Sequence, residues 1–194
     1  MTLTVYGTAG RSFRVHWLLA ELGQDYETVS AFPRSPEIHA VNPLGQVPAL
    51  RDGDHILTDS LAILNYLADR AGRFIYPTGT PERALMEARI NFVLTEMEAP
   101  IWLMARHGFV LPKDQRHPGL RAVTEPDFAR AVKKFETLIG DAEFFAGADF
   151  TIADIVAGHT ADWAIGATIP VNSGVLENYL ARLQQRPAWA KAMG

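Results

Sequence analysis

The chain has 194 residues, 18 of them basic and 22 acidic, with 48% hydrophobic and 21% charged residues. That length supports one large domain or two small ones with a core of their own, and the composition excludes a disordered chain. The net charge of -4 excludes a protein that coats nucleic acid, and the absence of cysteine excludes disulfides, thiolate metal sites and a protein-thiol nucleophile.

Any thiol chemistry must therefore use a sulfur carried by a substrate. The histidines at 16, 39, 55, 107, 117 and 159 are scattered with no i, i+4 pair, so no metal site is expected. No apolar run is long enough for a membrane span, and the start, MTLTVYGTAGR, lacks the pattern of a signal peptide. The expectation is a cytoplasmic protein with neither a nucleic-acid nor a membrane partner.

In chain order, Leu3–Tyr6 alternates and is β-branched or aromatic, which predicts a strand. Thr8-Ala9-Gly10 is a turn. Arg11 to Leu22 carries apolar residues at 13, 15, 18, 19 and 22, a helical spacing that Gly23 stops. Tyr26–Ser30 predicts a second strand, and 32–42 an irregular stretch with one helical turn. Val47–Arg51 and His55–Leu57 flank Asp52-Gly53-Asp54, a hairpin signal. Thr58 is the expected cap of a helix running to Ala71, with Leu61, Leu64, Tyr66 and Leu67 on its buried side.

From Gly72 the pattern changes. Residues 76–81 read as a linker, and everything beyond is helical in period. One long helix is expected from Pro81 to His107, bent at Pro100, then a loop over 111–125. Further helices are expected at 126–140, 151–165 and 174–185. The organisation is an α/β unit over 1–75 followed by an all-helical unit over 82–194. The charge splits evenly between them, so neither presents an electrostatic partner face.

Two segments carry chemistry. In Asn42-Pro43-Leu44-Gly45-Gln46-Val47-Pro48-Ala49-Leu50, Pro48 stands at the entry of the third strand, where it donates no ladder bond. It is an ordinary strand-entry proline or a cis proline in a tight turn. The cis form would leave the Val47 N–H and C=O facing outward, ready to pair with an extended peptide. In Thr58-Asp59-Ser60-Leu61-Ala62-Ile63, Asp59 and Ser60 sit at a helix start, where N–H groups and the dipole favour a carboxylate. The Ser60 hydroxyl and N–H suit that carboxylate, and Asp59 suits an α-ammonium group. Together they describe a receptor for an α-amino acid end; alone, they are capping residues.

With the change of pattern near residue 80, these motifs resemble the cytosolic glutathione transferase family over essentially the whole chain, in a compact, bacterial-type form. NPLGQVPAL matches its cis-proline loop. Asp59-Ser60 matches its acidic-residue-plus-serine pair, with Asp where Glu is more usual. Phe150-Thr151-Ile152-Ala153-Asp154-Ile155 matches the helix-capping motif of its helical domain. That last motif is a folding element: Thr151 caps, Asp154 reaches back, and Phe150 with Ile155 forms a hydrophobic staple.

The resemblance implies a thioredoxin-like N-terminal domain that binds glutathione as co-substrate, a helical domain with an electrophile pocket, no metal, and a homodimer. It implies that Val47, before Pro48, holds the cysteinyl part of glutathione and that Asp59 and Ser60 hold the γ-glutamyl end. Gln46, with Arg34 or His39, would hold the glycine carboxylate.

One position departs from the family. A free thiol has a pKa of about 8.5, and lowering it by about two units takes roughly 2.7 kcal/mol of preferential thiolate stabilisation. The family supplies a Tyr, Ser or Cys at the end of the first strand; the Ser or Cys position falls on Ala9, and Tyr6 lies too early. The donors left are Thr8, Arg11, Ser12 and the N–H groups of the first helix. For the electrophile pocket, Met97, Trp102, His107 and Phe109 lie on or after the long helix, and Trp163 on the helix capped by Thr151. A Met and aromatic stripe at helical spacing is also ordinary core. The expected activity is addition of the glutathione thiolate to a small hydrophobic electrophile. The alternatives are a maleylacetoacetate isomerase-like reaction and an inactive glutathione-binding scaffold, which Ala9 would suit.

Overall fold

The structure is a computed structural model that describes residues 2–193. It divides into two compact units, one of residues 1–78 with 184–194 and the other of 79–183.

The first unit is built on a four-stranded sheet in the order β2-β1-β3-β4, from β1 (Leu3–Tyr6), β2 (Tyr26–Val29), β3 (Ala49–Asp52) and β4 (His55–Thr58). β1 and β2 are parallel, which requires a crossover, supplied by α1 (Ser12–Leu22). β3 runs antiparallel to β1 and to β4, so the remaining connection is the short hairpin at Asp52-Gly53-Asp54. A single helical turn, α2 (Pro36–His39), precedes β3, and α3 (Ser60–Ala71) follows β4. This is the thioredoxin-like α/β arrangement expected of the sequence.

Two expectations for α3 are corrected. Thr58 ends β4, and Asp59 is the N-cap, its Oδ1 accepting from the N–H of Leu61 at 2.9 Å and of Ala62 at 3.1 Å. The buried side is Ile63, Leu64, Leu67 and Ala68; Tyr66 is exposed and donates to Asp52. A tyrosine with a charged partner at the surface keeps its hydroxyl satisfied there.

α1 is enclosed nearly all round: Ser12 and every residue from Arg14 to Leu19 are buried. The outer cover is α9 (Pro187–Met193), which joins the first unit although the sequence reading ran the helical domain to 194. Trp189 stands edge-on to Trp17 and Phe13, with centroids 4.6 and 4.8 Å away. Arg186 grips Glu21 with both arms, at 2.6 and 2.9 Å, while Trp17 Nε1 donates to the same carboxylate at 3.0 Å. The Glu21 side chain is only 9% exposed, so Arg186→Ala strips its counter-charge in a poorly hydrated place. The expected loss is about 2 to 3 kcal/mol, read as a lowered urea midpoint.

The second unit is helical. α4 (Pro81–Phe92) and α5 (Ala99–Ala105) form one continuous rod with wider π-helical turns at Val93–Glu98 and Arg106–Val110. Pro100 sits two residues into α5, just past the first π-helical stretch, and having no N–H it donates nothing back to that stretch. α6 (Arg121–Ile139) starts five residues before the expected position, after two 3-10 turns, and carries Pro126 inside it. A proline near a helix start reads as the start itself, which is why the sequence placed the boundary there. α7 (Ile152–Gly166) is buried along almost its whole length, and α8 (Gly174–Gln184) packs Tyr179 into the interior. No helix among the described residues is long and apolar enough to cross a membrane.

Candidate functional site

Three segments of the first unit meet at the start of α1. Gly7, just past β1, has φ +117, open to glycine and strained for other residues. A Cβ there would lie 2.4 Å from Ser12 Oγ and 3.0 Å from Val47 Cβ. So the end of β1, the first turn of α1 and the residue before Pro48 touch at one point. Two residues further along α1, the buried Arg14 donates from Nη1 to Ser60 Oγ at 3.4 Å. The two sequence motifs, far apart in the chain, are thus joined through α1.

The Val47–Pro48 bond is cis, and β3 begins only at Ala49, so Val47 lies ahead of the ladder. Asn42, almost fully buried, shapes the loop: Nδ2 donates to the Gln46 carbonyl at 2.8 Å, and Oδ1 accepts from Leu44 N–H at 3.1 Å. Gln46 itself is exposed. Gly45, at φ +63, leaves room for the His39 ring, which a Cβ would meet at 2.7 Å. The Gly45 carbonyl accepts from Arg34 N–H at 2.8 Å. Arg34 and His39, both exposed, therefore gather beside Gly45 and Gln46.

At α3, Asp59 has φ 71 and ψ 128, a backbone that a non-glycine residue adopts only against a cost of order 1–3 kcal/mol. Such strain concentrates where geometry serves a ligand. One Asp59 oxygen caps the helix, which leaves the second for an incoming cation. Ser60 is 2% exposed and sits in the first turn, beside the positive end of the helix dipole and above Arg14.

The proposed thiol-activating donors separate sharply. Thr8 is exposed, and Arg11 is half-buried at the N-cap of α1. Ser12 is fully buried with no hydrogen-bond partner for its hydroxyl, facing Gly7 and Val47 rather than solvent. Of the three side chains, Ser12 alone offers no solvent-exposed surface. The N–H groups of Ser12, Phe13 and Arg14 already donate to Ala9, Gly10 and Arg11 carbonyls at 3.3, 3.0 and 3.3 Å, so the first turn of α1 has fewer open donors than a helix start usually offers.

In the second unit, Met97 is fully buried and is core, not a pocket wall. Trp102 is 36% exposed, its ring 6.5 Å from that of Trp163. Phe109 is 70% exposed, and His107 is half-buried with its ring 5.2 Å from His117. Asp154 is a folding element: it accepts from Thr151 N–H at 2.8 Å while Thr151 Oγ1 accepts from Ala153 N–H at 3.3 Å.

Two groups near the site escape periodicity reading. Arg14 and His16 lie on a helix whose polar positions would ordinarily face water. The one available signal is their place inside an apolar run, Phe13 to Leu19.

Comparison with known proteins bears on the family and the fold. The model of the glutathione S-transferase N-terminal domain matches residues 1–69. A zeta-class glutathione S-transferase of Euphorbia esula is 30% identical over 164 residues, 80% of this chain and 72% of that protein. The glutathione S-transferase GstA of Escherichia coli O157:H7 is 28% identical over 194 residues, 94% and 92% of the two chains. A glutathione transferase crystal structure from Methylococcus capsulatus superposes with a TM-score of 0.85 at 26% identity, over 99% of this chain and 97% of that one. The chain belongs to the glutathione S-transferase family.

Proposed function

We propose that this protein is a cytoplasmic, homodimeric glutathione transferase that adds the thiolate of reduced glutathione to a small hydrophobic electrophile. The observation that carries the reading is the meeting of Val47, Ser60 and the β1–α1 turn around the start of α1. Its relatives across several classes bear the name glutathione S-transferase.

In this reading the γ-glutamyl carboxylate docks on the Ser60 hydroxyl and N–H, and the α-ammonium on the free oxygen of Asp59. The Val47 main chain, ahead of Pro48, pairs with the cysteinyl unit. Gln46 with Arg34 and His39 receives the glycine carboxylate. This lays the thiol toward Thr8 and Arg11, the accessible donors of the turn. Trp102, His107 and Phe109 are the accessible members of the residues proposed for the electrophile, and aromatic groups suit an apolar one.

The test is calorimetric titration with glutathione, with the ultraviolet absorbance of the thiolate followed against pH. Binding with a thiol pKa well below about 8.5 is expected; no binding at millimolar concentration overturns the reading. Asp59→Asn keeps an acceptor for the α3 cap and removes the charge. It is expected to weaken glutathione about tenfold with little change in melting temperature, which separates ligand binding from capping. Glutathione recovered unchanged while the second substrate rearranges would move the assignment to an isomerase.

A further inference from the structure

His16 is buried, and both of its ring nitrogens are engaged. Nε2 lies 2.8 Å from the Gly7 carbonyl oxygen and Nδ1 3.0 Å from the Tyr26 hydroxyl. A carbonyl only accepts, so Nε2 carries the proton, and Nδ1 accepts from Tyr26. Burial holds the imidazole below its ordinary pKa, in keeping with the neutral ring this pattern requires. The ring is fixed from both sides, and its strongest hold is on the residue that opens the β1–α1 turn.

The preceding peptide is held too, since Gly7 N–H donates to the Val29 carbonyl at 3.1 Å. The Gly7–Thr8 bond is trans, because the cis bond of the described chain is Val47–Pro48. A trans peptide is planar, with its C=O and N–H pointing in opposite directions. A Gly7 carbonyl drawn inward to a buried histidine therefore turns the Thr8 N–H outward. Thr8 is exposed, and its N–H has no backbone acceptor among the described residues. It stands next to Gly7, which abuts Val47.

We propose that the Thr8 main-chain N–H is a donor to the glutathione thiolate and that His16 is the positioning residue that aims it. This rests on the glutathione reading above and deepens it: a main-chain donor needs no side chain at position 9, so Ala9 is no obstacle to thiol activation. An N–H held by a planar peptide whose own carbonyl is anchored by His16 is preorganised before the thiolate forms.

The experiment compares the wild type with His16→Phe, His16→Gln and Tyr26→Phe, measuring glutathione affinity, the pKa of the bound thiol by thiolate absorbance, and melting temperature. His16→Phe fills the space and removes both bonds; it is expected to raise the bound-thiol pKa by about one unit, a tenfold loss of thiolate at a fixed pH below it. His16→Gln restores an N–H toward Gly7 and is expected to recover most of that shift. Tyr26→Phe removes only the half-buried hydroxyl and is expected to give a smaller shift of the same sign. It also keeps the test intact where His16→Phe does not fold. A melting temperature that falls while the thiol pKa stays put means a structural role alone and overturns the proposal. A wild type that binds no glutathione overturns the transferase reading and takes this one with it; a wild type with a lowered thiol pKa that all three variants share overturns the positioning role only.

Discussion

Asp154→Ala is expected to cost roughly 3 to 5 kcal/mol of stability and to lower the melting temperature by on the order of 10 °C. Asp154 has no solvent exposure and satisfies four donors. Oδ1 accepts from Phe145 N–H at 2.7 Å and from the Tyr179 hydroxyl at 2.7 Å; Oδ2 accepts from Thr151 N–H at 2.8 Å and from the Thr151 hydroxyl at 3.2 Å. Burial pushes its carboxyl above the ordinary range, and these four bonds pull against that shift. Tyr179 is driven well above its own ordinary value by burial and by the Asp154 charge. The carboxylate ties the start of α7 to the Phe145 turn and to α8. Truncation therefore strands several donors at once in a dry interior, beside the Phe135, Phe145 and Tyr179 rings. Tyr179→Phe removes one of the four bonds and is expected to cost only about 1 to 2 kcal/mol. Urea denaturation of both variants checks the ordering. An Asp154→Ala protein within about 1 kcal/mol of wild type would mean that water replaces the carboxylate.

The contrast between Asp154 and α1 explains what was legible in the sequence. Thr151 and Asp154 act within one helical turn, so a local pattern revealed them. The strands, the Asp52-Gly53 hairpin and the order of the first unit were legible for the same reason: alternation and turn chemistry are local. The start of α6 was not, because Pro126 imitates a helix beginning while the true start has no capping side chain.

α1 is the larger failure. Periodicity assigns a helix one wet face, but α1 is covered by β1, α3 and α9, and α9 arrives from the other end of the chain. Arg14 and His16 are buried because of that distant cover. Ser12 is turned inward because Gly7 and Val47 leave it a space. The site followed the same rule. The cis-proline loop and the Asp59-Ser60 pair were legible as short motifs. The clustering of Arg34 and His39 at Gly45 depends on backbone turns, including Arg34 at φ 68, that no residue pattern announces.

Ser60→Ala is expected to raise the glutathione dissociation constant about 10- to 100-fold, the worth of a hydrogen bond to a charged group. The hydroxyl already accepts from Arg14, so its own proton is left to donate to a carboxylate. Arg14 is 1% exposed, and a buried guanidinium beneath the hydroxyl adds positive potential in a region of low dielectric. The dipole of α3 adds to it at the same helix start. Removal of Oγ loses the direct bond and the link between Arg14 and the ligand together. Since Asp59, not Ser60, caps α3 through its side chain, the helix keeps its N-terminal bonds and the melting temperature should fall only slightly. A glutathione analogue without the γ-glutamyl α-carboxylate should bind weakly to the wild type and lose little more in Ser60→Ala. If the variant binds glutathione within twofold of wild type, or if the analogue suffers the same fold-loss, Ser60 does not hold that carboxylate, and the acid-recognising end of the site must be sought elsewhere on the first unit.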